Sequence, residues 1–497
     1  MAAKRTPKAP PSEGAETAED AGRSGTRSSA RPPVLSLASE RVANVTMASS
    51  VADAIVHDIV ARGWPEGEVL GSEPELLERY GVSRAVFREA VRLVEHKEVA
   101  SMRRGPGGGL VVTAPTVESV IDAVAVYLFY VDADVEEVFE ARLVLEEVVT
   151  ELAPGRLGEE DVLALRELLA REQRGEVRDY RELHALLARV TGNPALEFFV
   201  DVLNRVSQLF MDDPSLLERS TISASSHAHT AIGQAVLAGD EGLAKHRMRK
   251  HLQAEAEYLR RVARTRIGLP RPTSRHKRGQ QVASAILQDI ADAGWPVGTL
   301  LGSEKAVIER YGVSRAVLRE AVRVLEHHQV ARMRRGPGGG LLVAEPGVAA
   351  TTEAVALHLH RMAITPAQLL EVRSAVEIAI LDRAVERLTD DDVARLEQAL
   401  AAERAATPEE LRDLAHGVHR ALAGMSGNRV LELLALVLLR LTRLHQGPRP
   451  RREVDAERAK DLAEVHGRIV EAIAERDLEV ARLRMRSHLR ALTEFVS

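Results

Sequence analysis

Arginine side chains recur at a helical spacing in two parts of the sequence. Arg84, Arg88 and Arg92 are four residues apart, so one face of a helix would carry all three. A further pair, Arg103 and Arg104, precedes a glycine-rich segment. The same five positions recur as Arg315, Arg319, Arg323, Arg334 and Arg335. Because the guanidinium group fits guanine edges and phosphates, this pattern is typical of DNA recognition.

Two other interpretations compete with DNA contact. The arginines could form a solvated charged face with Glu89 and Glu95 as partners. The glycine-rich segment 105–109 could cradle a phosphate, but no Lys-Ser or Lys-Thr pair follows it and a β-prone run comes next. A tight turn at the tip of a hairpin fits that segment better. Since the arginines coincide with a turn, a helix start and a basic hairpin in both places, we predict DNA contact.

The elements that must position these arginines follow from local signals. Residues 51–62 have helical apolar spacing, and the Gly-Trp-Pro that follows ends that helix. Ser72 and Ser83 are N-cap residues for two short helices that are separated by Gly81. Two β-prone runs then flank the glycine-rich turn and predict a hairpin. Two helices joined at a glycine turn and followed by a hairpin predict a winged helix-turn-helix.

The chain contains this unit twice, at an offset of 231 residues. Between residues 51–113 and 282–344, 42 of 63 positions are identical, including MRRGPGGGL in both copies. The following part is less similar, but Arg142 and Glu146 match Arg373 and Glu377 in the same register. The periodicity of this part predicts six or seven helices per copy, with helical pieces such as 135–152 and 229–259.

We therefore predict a mainly α protein with two winged helix-turn-helix domains that alternate with two all-α bundles. The predicted boundaries are a disordered tail (1–45), winged helix-turn-helix domains (46–115 and 280–346), helical ligand domains (116–265 and 347–497) and a linker (266–279).

Composition limits the class of protein further. The 497 residues include no cysteine, which excludes disulfides, zinc–thiolate sites and thiol nucleophiles. We predict a cytoplasmic protein without membrane contact, because no apolar run is long enough to span a bilayer and no secretory signal is recognisable. The net charge of −6 argues mildly against a protein that coats nucleic acid, although it averages acidic bundles over small arginine faces.

The helix-turn-helix motif, from Ser72-Glu73 to Arg92 with the Arg-Gly-Pro-Gly-Gly hairpin, resembles the DNA-binding domain of GntR-superfamily transcription regulators. The part that follows resembles the FadR C-terminal (FCD) ligand domain. The resemblance implies DNA contacts at Ser83, Arg84, Ala85, Arg88 and Gly105, and at Ser314, Arg315, Ala316, Arg319 and Gly336. The family often has a basic residue where Pro74 and Lys305 stand, so the resemblance implies a phosphate contact at Lys305 that the first copy lacks.

The resemblance also implies a metal site in each bundle. The three histidine positions of metal-binding FCD domains fall on His184, His229 and His251, and on His419, His466 and His488. Neutral imidazoles there would hold Zn²⁺ or another divalent ion with an open position for a carboxylate effector. The position of the usual aspartate is occupied by Tyr180 and Ala415. Packed histidines without metal, or a metal-free polar pocket, are the alternatives.

Arg142 and Arg373 match an arginine that the family implies for binding the effector carboxylate. The alternative role is a helix salt bridge to Glu146 or Glu377, four residues further on.

These features predict a ligand-responsive transcription regulator, a repressor, whose two DNA-binding domains share one double-stranded operator. The chain would act as a pseudo-dimer or pair again into a homodimer. One alternative is a metal-dependent enzyme that uses the bundle histidines, although no general base is placed near them. Another is a nucleoid-type DNA-binding protein that responds to no effector.

Overall fold

The computed structural model describes residues 47–496 except 106, 178, 180, 212–218, 263–266, 271–276, 335, 408–415 and 446–455. The predicted disordered tail and half of the predicted linker lie outside the described residues, as do Arg335, Tyr180 and Ala415. Helices dominate the described chain and its strands form two small sheets, which confirms the predicted mainly helical class.

The first winged helix-turn-helix domain, called the first head below, consists of three helices and three short strands. They are α1 (Met47–Ala61), β1 (Val69–Gly71), α2 (Glu73–Tyr80), α3 (Arg84–His96), β2 (Ala100–Arg103) and β3 (Gly109–Val112). Gly81 ends α2 with a φ of +61°, a left-handed conformation that glycine adopts without steric penalty. The Ser83 hydroxyl then accepts a hydrogen bond from the Val86 N–H at 3.3 Å and caps α3. The head therefore has the helix-turn-helix arrangement that the sequence predicts.

The wing of this head is a three-stranded antiparallel sheet in the order β1-β3-β2. The sequence predicted only the hairpin of β2 and β3, and β1 is added at the other edge of β3, where Val69 lies opposite Val111. Gly109 permits this close pairing, because a Cβ there would lie 2.4 Å from the Gly71 carbonyl oxygen.

The first bundle has seven helices within the described part of the chain. They are α4 (Val117–Tyr130), α5 (Val135–Arg156), α6 (Glu159–Gln173), α7 (Glu182–Val190), α8 (Pro194–Gln208), α9 (Arg219–Leu237) and α10 (Glu241–Val262). The predicted helical piece 229–259 is divided between α9 and α10. Gly239 lies in the intervening turn with a φ of +73°, a conformation incompatible with a continuous right-handed helix.

The second half repeats this order. Its head contains α11 (Arg278–Asp292), β4 (Leu300–Gly302), α12 (Glu304–Tyr311), α13 (Arg315–His327), β5 (Ala331–Arg334) and β6 (Gly340–Val343). Its bundle contains α14 (Val348–Arg361), α15 (Pro366–Glu386), α16 (Asp390–Ala405), α17 (Gly417–Met425), α18 (Arg429–His445), α19 (Ala456–Ala474) and α20 (Leu478–Val496). Among the described residues, no helix is both long and apolar enough to cross a bilayer.

The two bundles pack against each other and share one continuous apolar core, with α5 lying along α15. Each head has a smaller core of its own, and that core includes a residue from the bundle of the other copy. Leu357 of α14 is buried in the core of the first head, and Val126 of α4 is buried in the core of the second. The sequence did not predict this exchange.

Polar and aromatic contacts accompany the crossed packing. On the first head, Arg361 of α14 lies 3.3 Å from the Glu66 carboxylate. On the second head, the rings of Phe129 and Tyr130 lie 6.0 and 5.4 Å from the Trp295 ring, measured between centroids. Each head is therefore attached to the first helix of the opposite bundle.

Candidate DNA-binding surface and histidine sites

Helix α3 presents the predicted arginines Arg84, Arg88 and Arg92 to solvent. The side chains of Arg84 and Arg88 are each 66% exposed and lie 3.4 and 3.3 Å from one carboxylate, that of Glu73. Arg92 lies 2.9 Å from Glu89, one of the predicted surface partners. Glu95, the other predicted partner, instead accepts a hydrogen bond from the Met102 N–H. Exposed ion pairs contribute about 0–1 kcal/mol, so a DNA phosphate or base can replace these partners.

The second head presents the same surface with one addition. Arg315 forms two hydrogen bonds to Glu304, at 2.6 and 3.2 Å, and Arg319 and Arg323 are exposed further along α13. Lys305 is 86% exposed on α12 and lies 3.8 Å from Glu309. This cation takes the place that Pro74 occupies in the first head.

The remaining predicted contact residues lie around these arginines. Ser314 caps α13 by accepting a hydrogen bond from Val317, as Ser83 caps α3, and Ala85 and Ala316 are exposed on the first turns. At the wings, Arg104, Gly105 and Gly336 are exposed.

Two wing arginines also have an internal role. Arg103 donates to the Gly107 carbonyl at 3.0 Å, and Arg334 donates to the Gly338 carbonyl at 2.7 Å. These bonds brace the tips of the two wings in the same way.

The three predicted histidines of the first bundle converge in its core. Nε2 of His251 lies 3.3 Å from Nε2 of both His184 and His229, and all three side chains are buried. They come from α7, α9 and α10, so three helices meet at this point. Burial and the two neighbouring imidazoles lower the pKa of His251 well below its ordinary value, which keeps this ring neutral.

Carboxylates fix the orientation of two of these rings. Nδ1 of His184 contacts Glu146, and Nδ1 of His229 lies 2.9 Å from Glu172. Burial opposes ionisation of Glu146, but His184 and Arg142 outweigh it and lower the pKa of Glu146 to about 2. A carboxylate only accepts, so both Nδ1 atoms carry a proton, and in the neutral imidazole Nε2 then keeps a lone pair that faces the centre. Metal-binding histidines are usually held in this manner.

The second bundle repeats the arrangement. Nε2 of His488 lies 3.1 Å from Nε2 of His419 and 3.3 Å from Nε2 of His466. Glu377 contacts Nδ1 of His419, and Glu403 lies 2.6 Å from Nδ1 of His466. Burial and the adjacent histidines lower the pKa of His488 to about 2. Each bundle thus contains three nitrogen donors that could hold one metal ion.

Arg142 and Arg373 lie beside these triads. Their Nε atoms donate to Glu146 and Glu377 respectively, so the predicted helix salt bridge is present in both copies. The same two carboxylates hold His184 and His419, which links each arginine to its triad. Both guanidinium groups are almost fully buried and direct an Nη1 atom to a hydroxyl group, that of Ser207 or Thr442.

Glu172 and Glu403 were missed at the level of sequence. They lie on α6 and α16, and nothing in their spacing relates them to His229 or His466, which are 57 and 63 residues away. One signal was available, since the two glutamates are separated by 231 residues, the same offset as the heads. Identical residues in this register stand out where the rest of the bundle sequence diverges.

Comparison with known proteins supports the same organisation. The family model described as bacterial regulatory proteins of the gntR family matches residues 47–110 and 278–341. The FCD domain model matches residues 137–254 and 368–491.

Individual relatives match about one copy of the repeat. The HTH-type transcriptional regulator LutR of Bacillus subtilis is 30% identical over 208 residues, which are 40% of this chain and 92% of that protein. The Uxu operon regulator of Haemophilus influenzae is 28% identical over 154 residues, which are 30% of this chain and 55% of that protein. The solved structure of Streptococcus agalactiae GntR covers 44% of this chain and 99% of its own, with 24% identity and a TM-score of 0.33.

The matches confirm the predicted class of regulator over the alternative of a metal-dependent enzyme, because the matched family consists of regulatory proteins. They also confirm that the whole two-domain unit is duplicated. The chain belongs to the gntR family of bacterial regulatory proteins and carries two GntR domains, each followed by an FCD domain.

Proposed function

We propose that this protein is a repressor that binds one pseudo-palindromic operator with its two heads. The main support for this proposal is the pair of recognition helices, α3 and α13. Each begins at a serine N-cap and exposes three arginines. A recognition helix of this type reads bases in the major groove from its N-terminal residues. Crossed packing on the bundles holds the two heads as a pair, so one chain supplies both halves of the DNA-binding unit.

The test is DNA affinity measured by fluorescence anisotropy, with an operator selected from a random duplex library. Arg88→Ala and Arg319→Ala should each weaken specific binding by about 1–3 kcal/mol, which is roughly 5- to 150-fold. Arg62→Ala, at an exposed position outside the recognition helices and wings, is the matched control and should change little. Equal affinity for all sequences would contradict the proposal and support a nucleoid-type protein instead.

We propose further that each histidine triad holds a divalent ion such as Zn²⁺. The donor set fits, because two of the three Nε2 atoms in each triad have their lone pairs fixed toward the centre by a carboxylate on Nδ1. The bound ion would supply a Lewis-acidic position for a carboxylate oxygen. The usual aspartate ligand is absent from the sequence, where Tyr180 and Ala415 stand at its position, so an added ligand would have to supply the fourth donor.

Elemental analysis of the purified protein tests the metal sites. We expect two metal ions per chain, and one after His251→Ala or after His488→Ala. His246→Ala, an exposed histidine on α10, is the control and should retain both. Protein that binds no metal after incubation with Zn²⁺ would contradict this part of the proposal and leave packed histidines as the explanation.

We propose that the effector is a small carboxylate that binds between the buried arginine and the triad and alters operator affinity. The heads rest on α4 and α14, the first helices of the bundles, so a shift of either helix would change the separation of the recognition helices. Operator affinity measured with and without small carboxylic acids tests this step. Unchanged affinity with bound carboxylate would contradict it.

A further inference from the structure

The two ligand domains have matching histidine triads but differ beside them. Glu255 follows His251 by one helical turn on α10, and Leu492 follows His488 by one turn on α20. The flanking residues align without a gap, from His251-Leu252 and His488-Leu489 onward. The first triad therefore has an acidic neighbour where the second has an apolar one.

In the first bundle, Glu255 lies between the arginine and the triad. Its Oε2 is 3.2 Å from Nη1 of Arg142 and 3.9 Å from Nε2 of His251. The Nε atom of Arg142 donates to Glu146, so the guanidinium has a carboxylate partner on each side. Glu255 thus occupies the place where an effector carboxylate would meet both the guanidinium and a metal ion.

In the second bundle the corresponding arginine is incompletely paired. The Nε and Nη1 atoms of Arg373 donate to Glu377 and Thr442, but its Nη2 atom has no hydrogen-bond partner among the described residues. Arg373 is only 3% exposed, so water does not compensate readily. An unsatisfied buried donor on a charged group is costly, and Leu492 has no acceptor to offer.

A second difference beside the triads also distinguishes the second site from the first. His416 is buried near Arg373 and His419, at the start of α17, whereas the first copy has Arg181 at this position. Arg181 pairs with Asp179 at 2.6 Å and is thereby neutralised outside the triad. The second site therefore has an additional buried imidazole in the neighbourhood of the Arg373 guanidinium.

We infer that only the second FCD domain responds to an external carboxylate. In the first domain, the Glu255 carboxylate already occupies the position that such a ligand would take. The inference rests on the proposed function, since it takes the effector class from there. Glu255 completes the first site permanently, so the conformation of this domain would not depend on the effector. The second site is completed only when an external carboxylate reaches Arg373, which makes one effector per chain the expected stoichiometry.

The test uses full-length protein loaded with Co²⁺, whose visible absorption reports changes at the metal, and titration with succinate and with acetate as probes. In the unaltered protein, we expect half of the cobalt sites to respond. Glu255→Leu should make both sites respond and double the amplitude of the change. Leu492→Glu should abolish the response. Glu257→Leu, an exposed position two residues away, is the control and should leave the half response intact.

Thermal unfolding of metal-free protein with the same probes gives a second readout, because the unpaired Arg373 nitrogen is present without metal. Response of both sites in the unaltered protein, or of the first site alone, would overturn the inference and leave carboxylate sensing standing. No response in the unaltered protein and in Glu255→Leu, with both cobalt ions bound, would refute carboxylate sensing itself and the inference with it.

Discussion

The two ends of the interface between the bundles carry the same amide hydrogen bonds but different charges. At one end, Asn193 donates to Glu371 at 2.9 Å and to the Gln368 carbonyl at 2.8 Å. At the other end, Asn428 donates to Glu140 at 2.8 Å and to the carbonyl of Glu137 at 3.1 Å. There, however, the next residue is Arg429, which forms a buried ion pair with the Glu137 side chain. The first end has Pro194 in that place.

This difference shows what fusion of the two copies permits. In a homodimer with twofold symmetry, any change of sequence appears at both ends of the interface. In a single chain each end can change alone, so one end can gain a buried ion pair while the other keeps its amide contacts and the more exposed pair of Arg156 and Glu371. Glu255 and Leu492 differ in the same way, and so do Pro74 and Lys305. The duplicated chain has the geometry of a symmetric pair, but individual positions differ between its two halves.

Removal of Arg429 is expected to have the largest effect on the interface. Arg429→Ala leaves the Glu137 carboxylate buried without its cation, which should lower the free energy of unfolding by about 3–5 kcal/mol. At the other end, Arg156→Ala, which removes the more exposed cation paired with Glu371, should cost no more than about 1 kcal/mol. Urea denaturation of both variants checks the difference. Equal losses would show that the two ends are energetically alike.

The second asymmetry is a buried carboxyl group. Burial, and then the Glu137 charge, raise the pKa of Glu432 to about 7, whereas its counterpart Glu197 in the first copy is exposed. The folded state holds this proton more tightly than the unfolded state, whose pKa is about 4.5, so stability falls as the pH rises from 4.5 to 7. The loss amounts to at most about 3 kcal/mol.

Glu432→Gln should remove that loss. The variant should be more stable than the unaltered protein at pH 8, and the difference should vanish toward pH 4.5. Glu197→Gln keeps Glu432, so its stability should depend on pH in the same way as that of the unaltered protein. Thermal unfolding at pH 5 and pH 8 provides the measurement, and an identical pH profile for both variants would contradict the assigned pKa.

The heads could be predicted from sequence because their caps and turns depend on local signals. The packing between the two copies could not be predicted, because it depends on contacts between residues far apart in the chain. Ser83 and Gly81 act within one turn of the backbone, so their types alone indicated the cap and the helix end. The histidines followed from a family resemblance, and the structure brings each set of three together. Val126 and Leu357, by contrast, look like ordinary core residues of amphipathic helices. Nothing local indicates that each enters the core of the opposite head.

The third comparison concerns the heads themselves. Loss of Arg315 and Arg319 should weaken operator binding more than loss of Arg84 and Arg88, because we expect Lys305 to add a phosphate contact in the second head. Each removed base contact should cost about 1–3 kcal/mol. Anisotropy titrations of the two double-alanine variants on one symmetric operator give the comparison. Losses of the same size would mean that the heads bind their half-sites equally.

The smallest expected effect isolates Lys305, which is 86% exposed and has only a 3.8 Å contact with Glu309. If it contacts a phosphate, Lys305→Ala should lower affinity equally for all DNA sequences and reduce the slope of log affinity against log salt by about 0.9. Pro74→Lys should add a similar increment in the first head. Lys250→Ala, an exposed lysine on α10 of the first bundle, should leave the slope unchanged. An unaltered slope in Lys305→Ala would remove the charge difference between the heads as a cause of unequal binding, because a cation that releases no counterion makes no phosphate contact.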